Sequence, residues 1–160
     1  MVGSAAVRGT AGAPYVPGLL AMREGPVLEA AVRELPTVPD VLLVDATGRD
    51  HPRRAGMAIQ LGATLGIPTL GVTHRPLLAT GDWPDDAVGA SSPLLLDGEA
   101  VGVWLRTRRG ARPLAVHPGW RIDLTVAVSI VLAVCGPRRT PEPLRAARRL
   151  AREARAEDQL

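Results

Sequence analysis

The sequence has no phenylalanine and no lysine, and Tyr15 is its single tyrosine. Without Phe, aliphatic side chains and the three Trp must fill whatever core forms. Without Lys, all the formal positive charge is Arg; together with abundant Ala, Gly and Pro this reads as the composition of a GC-rich genome rather than as selection for phosphate binding. A single cysteine, Cys135, excludes a disulfide framework or a cysteine-built zinc site within one chain. It lies in an apolar run and suits a small buried filler. The apolar segment just before it, Leu124 to Val134, is too short to span a bilayer. No basic start precedes a long apolar stretch, so no signal peptide is expected, and the expected compartment is the cytoplasm. There is no GxxxxGK phosphate loop, no GxGxxG after a strand, no Gly-x-Ser-x-Gly elbow and no HExxH.

What remains is an ordinary globular composition, 46% hydrophobic and 22% charged over 160 residues, which favours one domain spanning 1–160. The net charge of +3 suits a polyanionic partner without requiring one. Much of the positive charge lies between Arg138 and Arg155, and a solvated helix face explains that run equally well.

Residues 1–13 are small and irregular, with Ala5 to Arg8 as a possible strand remnant. Pro14 and Pro17 make a stiff extended turn around Tyr15. The spacing of Val27, Leu28, Ala31, Val32 and Leu35 predicts a helix from about Leu19 or Pro26, stopped by Pro36. Val41 to Val44 and Thr69 to Val72 read as strands buried on both faces. A helix from about Ala55 to Leu65, closed by Gly66, joins them into a βαβ unit with parallel strands. Residues 78–92 are dense in turn formers and read as a loop. Asp97-Gly98 marks a hairpin between Leu94–Leu96 and Val101–Leu105, expected elsewhere than beside the parallel pair. Leu114 to Val116 is a further strand. Leu124 to Val134 fits a helix or a strand, and 138–160 a charged terminal helix with Thr140 as N-cap and Pro141 in its first turn.

Asp45 stands at the C-terminal end of a buried parallel strand, where open α/β sheets place ligands. It reads equally well as a turn-forming Asp. Taken alone, Glu24 is a helix-terminus charge, His51 a loop histidine and Tyr15 a packed turn tyrosine.

Four segments in order resemble the endonuclease V family: Pro14-Tyr15-Val16-Pro17-Gly18 running on to Arg23-Glu24, Val44-Asp45-Ala46-Thr47-Gly48, His51-Pro52-Arg53-Arg54-Ala55-Gly56, and Ile67 to Val72, with a looser set at Ser92-Pro93-Leu94, Gly119-Trp120-Arg121 and Pro141-Glu142-Pro143. The resemblance implies an α/β, ribonuclease H-like mixed sheet with flanking helices, here missing its first strands. It implies metal-dependent cleavage of DNA 3′ to deoxyinosine in DNA repair, some members preferring inosine in RNA. Carried over, Asp45 and Glu24 would be the catalytic carboxylates holding Mg²⁺, or Mn²⁺, weakly. Tyr15 would be a wedge filling the gap left by the extruded base. Leu20, Ala46, Gly48 and His51 would line the base pocket, with Arg53 and His74 facing the nucleic acid. A monomer with no membrane attachment is expected.

The family pattern also has an essential Asp in its first strand, ahead of the Pro-Tyr block, where Met1 to Ala13 holds no acid. It has a later acid where Thr125 stands, two positions from Asp123, and a Lys where His74 stands. Three readings follow: an endonuclease V whose start lies too far downstream or whose missing carboxylate is supplied otherwise, an inactive relative that still binds inosine-containing or other nucleic acid, or an α/β protein of unrelated function.

Overall fold

The computed structural model describes residues 3–10, 12, 14, 16 and 18–157. The two apolar runs form β1 (Leu42–Val44) and β2 (Thr69–Thr73), paired in parallel with Leu42 opposite Thr69. Between them runs α2 (Met57–Leu65). The hairpin is β3 (Ser91–Leu96) and β4 (Glu99–Leu105). Asp97 and Gly98 at its tip both have positive φ, +53° and +80°, the conformation that matches the twist of a two-residue hairpin. Ser91 and Ser92, expected in the preceding loop, belong to β3.

One strand decides the architecture. β5 (Leu114–Pro118) lies antiparallel to both β2 and β4, so the hairpin joins the same sheet but is set apart from the parallel pair by β5. The order is β1-β2-β5-β4-β3, a mixed five-stranded sheet. Residues 3–10 form no strand, which corrects the remnant expected at Ala5 to Arg8.

Alternation along the strands assigns the two faces. Leu70, Val72, Leu114 and Val116 turn one way, onto α3 (Leu124–Cys135) and α4 (Glu142–Glu157). Val44 turns the other way and packs with Met57, Ala58 and Leu61 of α2. The Val- and Ile-rich α3 is a helix because Ala127, Val131 and Cys135 recur every four residues and are buried on the sheet, while Asp123 caps the first turn by accepting from the Val126 amide at 2.8 Å. Cys135 is the buried filler expected of it. α4 begins at Glu142, and the Pro141 carbonyl accepts from the Arg145 amide at 3.2 Å, so the helix starts later than a Thr140 cap would place it.

α1 (Leu20–Arg33) takes the earlier of the two expected starts and runs through Pro26. A proline there removes one backbone hydrogen bond. Packing of Leu20 and Ala21 on the Val44, Ala46 and Met57 cluster offsets that loss.

The 78–90 loop has few elements of its own but is tied to Arg106. This buried guanidinium donates to the carbonyls of Pro84 at 3.0 Å, Asp85 at 3.3 Å and Ala111, and pairs with Asp86 at 3.4 Å. No helix among the described residues is long and apolar enough to cross a membrane.

Candidate functional site at the end of the parallel strands

The loop from Asp45 to Gly56 leaves β1 and meets three other parts of the chain. Its first anchor is Gly48. A Cβ there would stand 2.2 Å from the Pro118 carbonyl oxygen and 3.2 Å from the His117 Cβ, so only glycine lets the loop sit down on the end of β5. The second anchor is Asp50, fully buried, whose carboxylate accepts the amides of Leu77, Leu78 and Ala79 at 2.6, 2.8 and 2.7 Å. Three charge-assisted bonds satisfy the buried carboxylate and fix the chain just after β2.

The third anchor is His51, also buried. The Arg53 amide donates to Nδ1 at 3.1 Å, so Nδ1 carries no proton. Nε2 therefore carries it and donates to the Gly18 carbonyl at 3.1 Å. Arg53 Nη1 donates to the same carbonyl at 2.9 Å. The Gly18 turn and the 51–53 loop, thirty-three residues apart, thus share one junction. Both ring nitrogens of His51 are used within the fold, so in this arrangement His51 braces the loop and offers no free polar atom. Leu20 and Ala46 likewise pack into the cluster with Val44 and Met57. Tyr15 lies outside the described residues.

Arginines fasten the loop to the hairpin. Arg54, at φ +54°, pairs with Asp97 at 2.7 Å, and Arg49 pairs with Glu99 at 2.5 Å.

On the other face, Asp45 is half exposed and bound to α4. Arg148 Nη2 and Nε donate to its Oδ2 at 2.6 and 3.1 Å. Arg148 Nη1 stands 3.4 Å from His74 Nε2. Partial burial and the positive charges of Arg139 and Arg148 hold the His74 pKa below its ordinary value, outweighing Asp45. His74 therefore stays neutral and accepts from the guanidinium. Glu24 lies on α1, exposed, and pairs with no described residue.

Asp45, expected to hold a metal together with Glu24, makes its side-chain hydrogen bonds to Arg148. Mg²⁺ requires an octahedron of hard oxygen donors. Among the described residues no group of three or more His, Cys, Asp or Glu converges. One Asp45 oxygen, Oδ2, is taken by a guanidinium, and Asp123 accepts its own helix-capping amide. In this arrangement the residues do not fit a divalent cation.

Three residues that shape the site were missed from the sequence. Asp50 lies in the polar stretch between Gly48 and His51, where nothing local marks it. His117, on β5, is fully buried, with Nδ1 3.4 Å from the Val101 carbonyl and Nε2 without a hydrogen-bond partner. Burial holds its pKa below the ordinary value, against the opposing pull of Asp50 and of the Val101 carbonyl. Arg148 was one charge in a run, and nothing local distinguished it.

Comparison with known proteins agrees with this architecture. The family model for endonuclease V matches residues 1–149. An endonuclease V of Nocardia farcinica is 46% identical over 153 residues, covering 94% of this chain and 66% of its own length. The crystal structure of the Streptomyces avermitilis endonuclease V superposes with a TM-score of 0.88 at 41% identity, over 92% of this chain and 64% of that one. A Ciona intestinalis endonuclease V, in complex with a DNA containing an inosine, matches with a TM-score of 0.75 at 25% identity, over 89% of this chain and 67% of that one. The chain thus spans about two thirds of the length of the relatives it matches. Matched across most of its residues in both sequence and fold, it belongs to the endonuclease V family.

Proposed function

We propose that this chain recognises deoxyinosine in DNA and that the 160-residue form cleaves the phosphodiester 3′ to it slowly or not at all. The observation that carries the reading is the Gly18–His51–Arg53 junction, which ties Gly18, three residues after the proposed wedge Tyr15 in the sequence, to the loop bearing the proposed pocket residues Ala46 and Gly48. A base extruded from the stack needs a rigidly held loop to receive it, and a wedge would offset part of the lost stacking. His51 acts here as a positioning residue. Arg53 sits at the rim, where an exposed guanidinium adds phosphate affinity.

Family membership suggests a divalent metal cofactor. Asp45 and Glu24 are the proposed carboxylates, but the pairing of Asp45 with Arg148 disfavours metal in the arrangement seen. Phosphoryl transfer depends on positioning and charge stabilisation, and a misplacement of about 1 Å can cost roughly a hundredfold in rate. A second reading, of an active Mg²⁺- or Mn²⁺-dependent nuclease, is favoured by the retention of Asp45 at the strand end.

Two assays on one duplex with a single deoxyinosine test this. Binding is expected to prefer it over the matched undamaged duplex, and equal binding to both would sink the proposal. Nicking with Mg²⁺ or Mn²⁺ is expected to be weak; robust nicking that Asp45→Asn abolishes would establish the second reading.

A further inference from the structure

We propose that Arg148 stands in the cation position of this site: its guanidinium is the built-in counter-charge of Asp45, and it is what keeps a divalent metal from that carboxylate. The inference rests on the site described above but not on inosine recognition.

Three observations carry it. First, the contact is specific in geometry. Arg148 reaches Asp45, 103 residues away in sequence, with Nε and Nη2 both directed at one carboxylate oxygen. Its third nitrogen, Nη1, meets His74 on the opposite side. A guanidinium held at Asp45 on one side and His74 on the other is a docked group, not a side chain that happens to pass an acid. Second, it differs from its neighbours. Arg145 pairs with Glu142 and Arg149 with Glu153, the i,i+3 and i,i+4 partners of a solvated helix face. Arg148 alone among these three leaves the helix and crosses to the sheet. Third, the location is the one where a cation is wanted. Asp45 ends β1, half exposed and facing α4, and a carboxylate at a parallel strand's end draws positive charge from whatever source is nearest.

Charge bookkeeping separates the two cations. Asp45 with a divalent ion would carry a net positive charge towards a nucleic-acid phosphate. Asp45 with Arg148 is neutral, and His74 beside it is neutral too. Arg is permanently charged, so no change of pH within the stable range of the protein removes it. Converting this position from arginine to a carboxylate should therefore both vacate the cation position and add an oxygen donor facing Asp45.

The test uses the full chain and Mn²⁺ alone, with no nucleic acid in any arm, so that it stands or falls apart from the recognition proposal. Free Mn²⁺ is followed by its electron paramagnetic resonance signal in titrations of the wild type, Asp45→Asn, Arg148→Ala, Arg148→Glu and the double variant Asp45→Asn/Arg148→Glu, each checked for folding by thermal melting. The wild type and Asp45→Asn should leave the signal alike. Arg148→Glu should bind Mn²⁺ at least tenfold more tightly than the wild type, Arg148→Ala should fall between, and the double variant should lose the gain. Wild-type binding that Asp45→Asn removes would overturn the proposal. So would an Arg148→Glu chain that folds and binds no better than the wild type; if that variant fails to fold, an Arg148→Ala chain equal to the wild type overturns it instead.

Discussion

Two regions border the end of β1, and they are held by different physics. The 47–54 loop is fixed by buried groups: a glycine with no room for a methyl, a carboxylate under three amides, a histidine with both nitrogens engaged. The α4 side is fixed by an exposed ion pair and a histidine contact. Buried, satisfied polar groups cost much to disturb, whereas exposed pairs contribute about 0–1 kcal/mol and are screened by salt. The loop is thus a permanent part of the fold, and the charge arrangement beside it can change without unfolding anything. A family site can keep the first while the second is altered.

The comparison breaks most visibly at Asp50. Asp50→Ala leaves three amides without their acceptor and should cost at least about 3 kcal/mol by urea unfolding. A loss below about 1 kcal/mol would mean that the loop is not built on this residue. Gly48→Ala should cost about 1–3 kcal/mol by overpacking against Pro118 and His117. Its inosine preference should fall in parallel if the loop moves. His51→Ala should cost about 1–2 kcal/mol and raise amide exchange at Arg53, which donates to the ring. Unchanged exchange there would remove the brace.

A pH scan sharpens the contrast. Unfolded, His117 takes up a proton near 6.5; folded, burial delays uptake to lower pH. Above 6.5 neither state is protonated and pH has no effect through this group. As pH falls from 6.5 towards the folded pKa, the unfolded chain alone gains the proton, so stability declines. His117→Asn should lower stability overall but flatten that slope, measured by unfolding at pH 7 and pH 5. The smallest effect belongs to Arg148→Ala, at most about 1 kcal/mol at low salt and nothing measurable at 1 M salt. A large, salt-independent loss would place Arg148 with the buried anchors.

The fold was legible where periodicity is local. β1, β2 and α2 follow from apolar runs and a helix stop, and the hairpin from Asp97-Gly98. What one sequence did not state was the lateral order of strands: β5 between β2 and β4 is a long-range choice, and no run length encodes it. The site divides the same way. Asp45, Gly48 and His51 were found because they lie in contiguous motif blocks. Asp50 lay between two of those blocks and in neither, and an acid whose partners are amides far along the chain looks like any loop acid. Arg148 and His117 were invisible because each matters only through a partner brought close by folding: Asp45, 103 positions away, and the backbone of β4.

The Arg106 anchor has a consequence of another kind. Residues 78–90 would be the natural place for a protease to enter: a long connection with Trp83 and Val88 largely exposed. Yet the guanidinium of Arg106, the residue just after β4, holds the carbonyls at 84 and 85 from within. A protease needs several consecutive residues in extended form, so cutting here requires those bonds to break together. The segment's survival in a digest is then a clock for a single arginine's release, and a chain lacking that guanidinium should be nicked near Trp83 long before the sheet itself gives way.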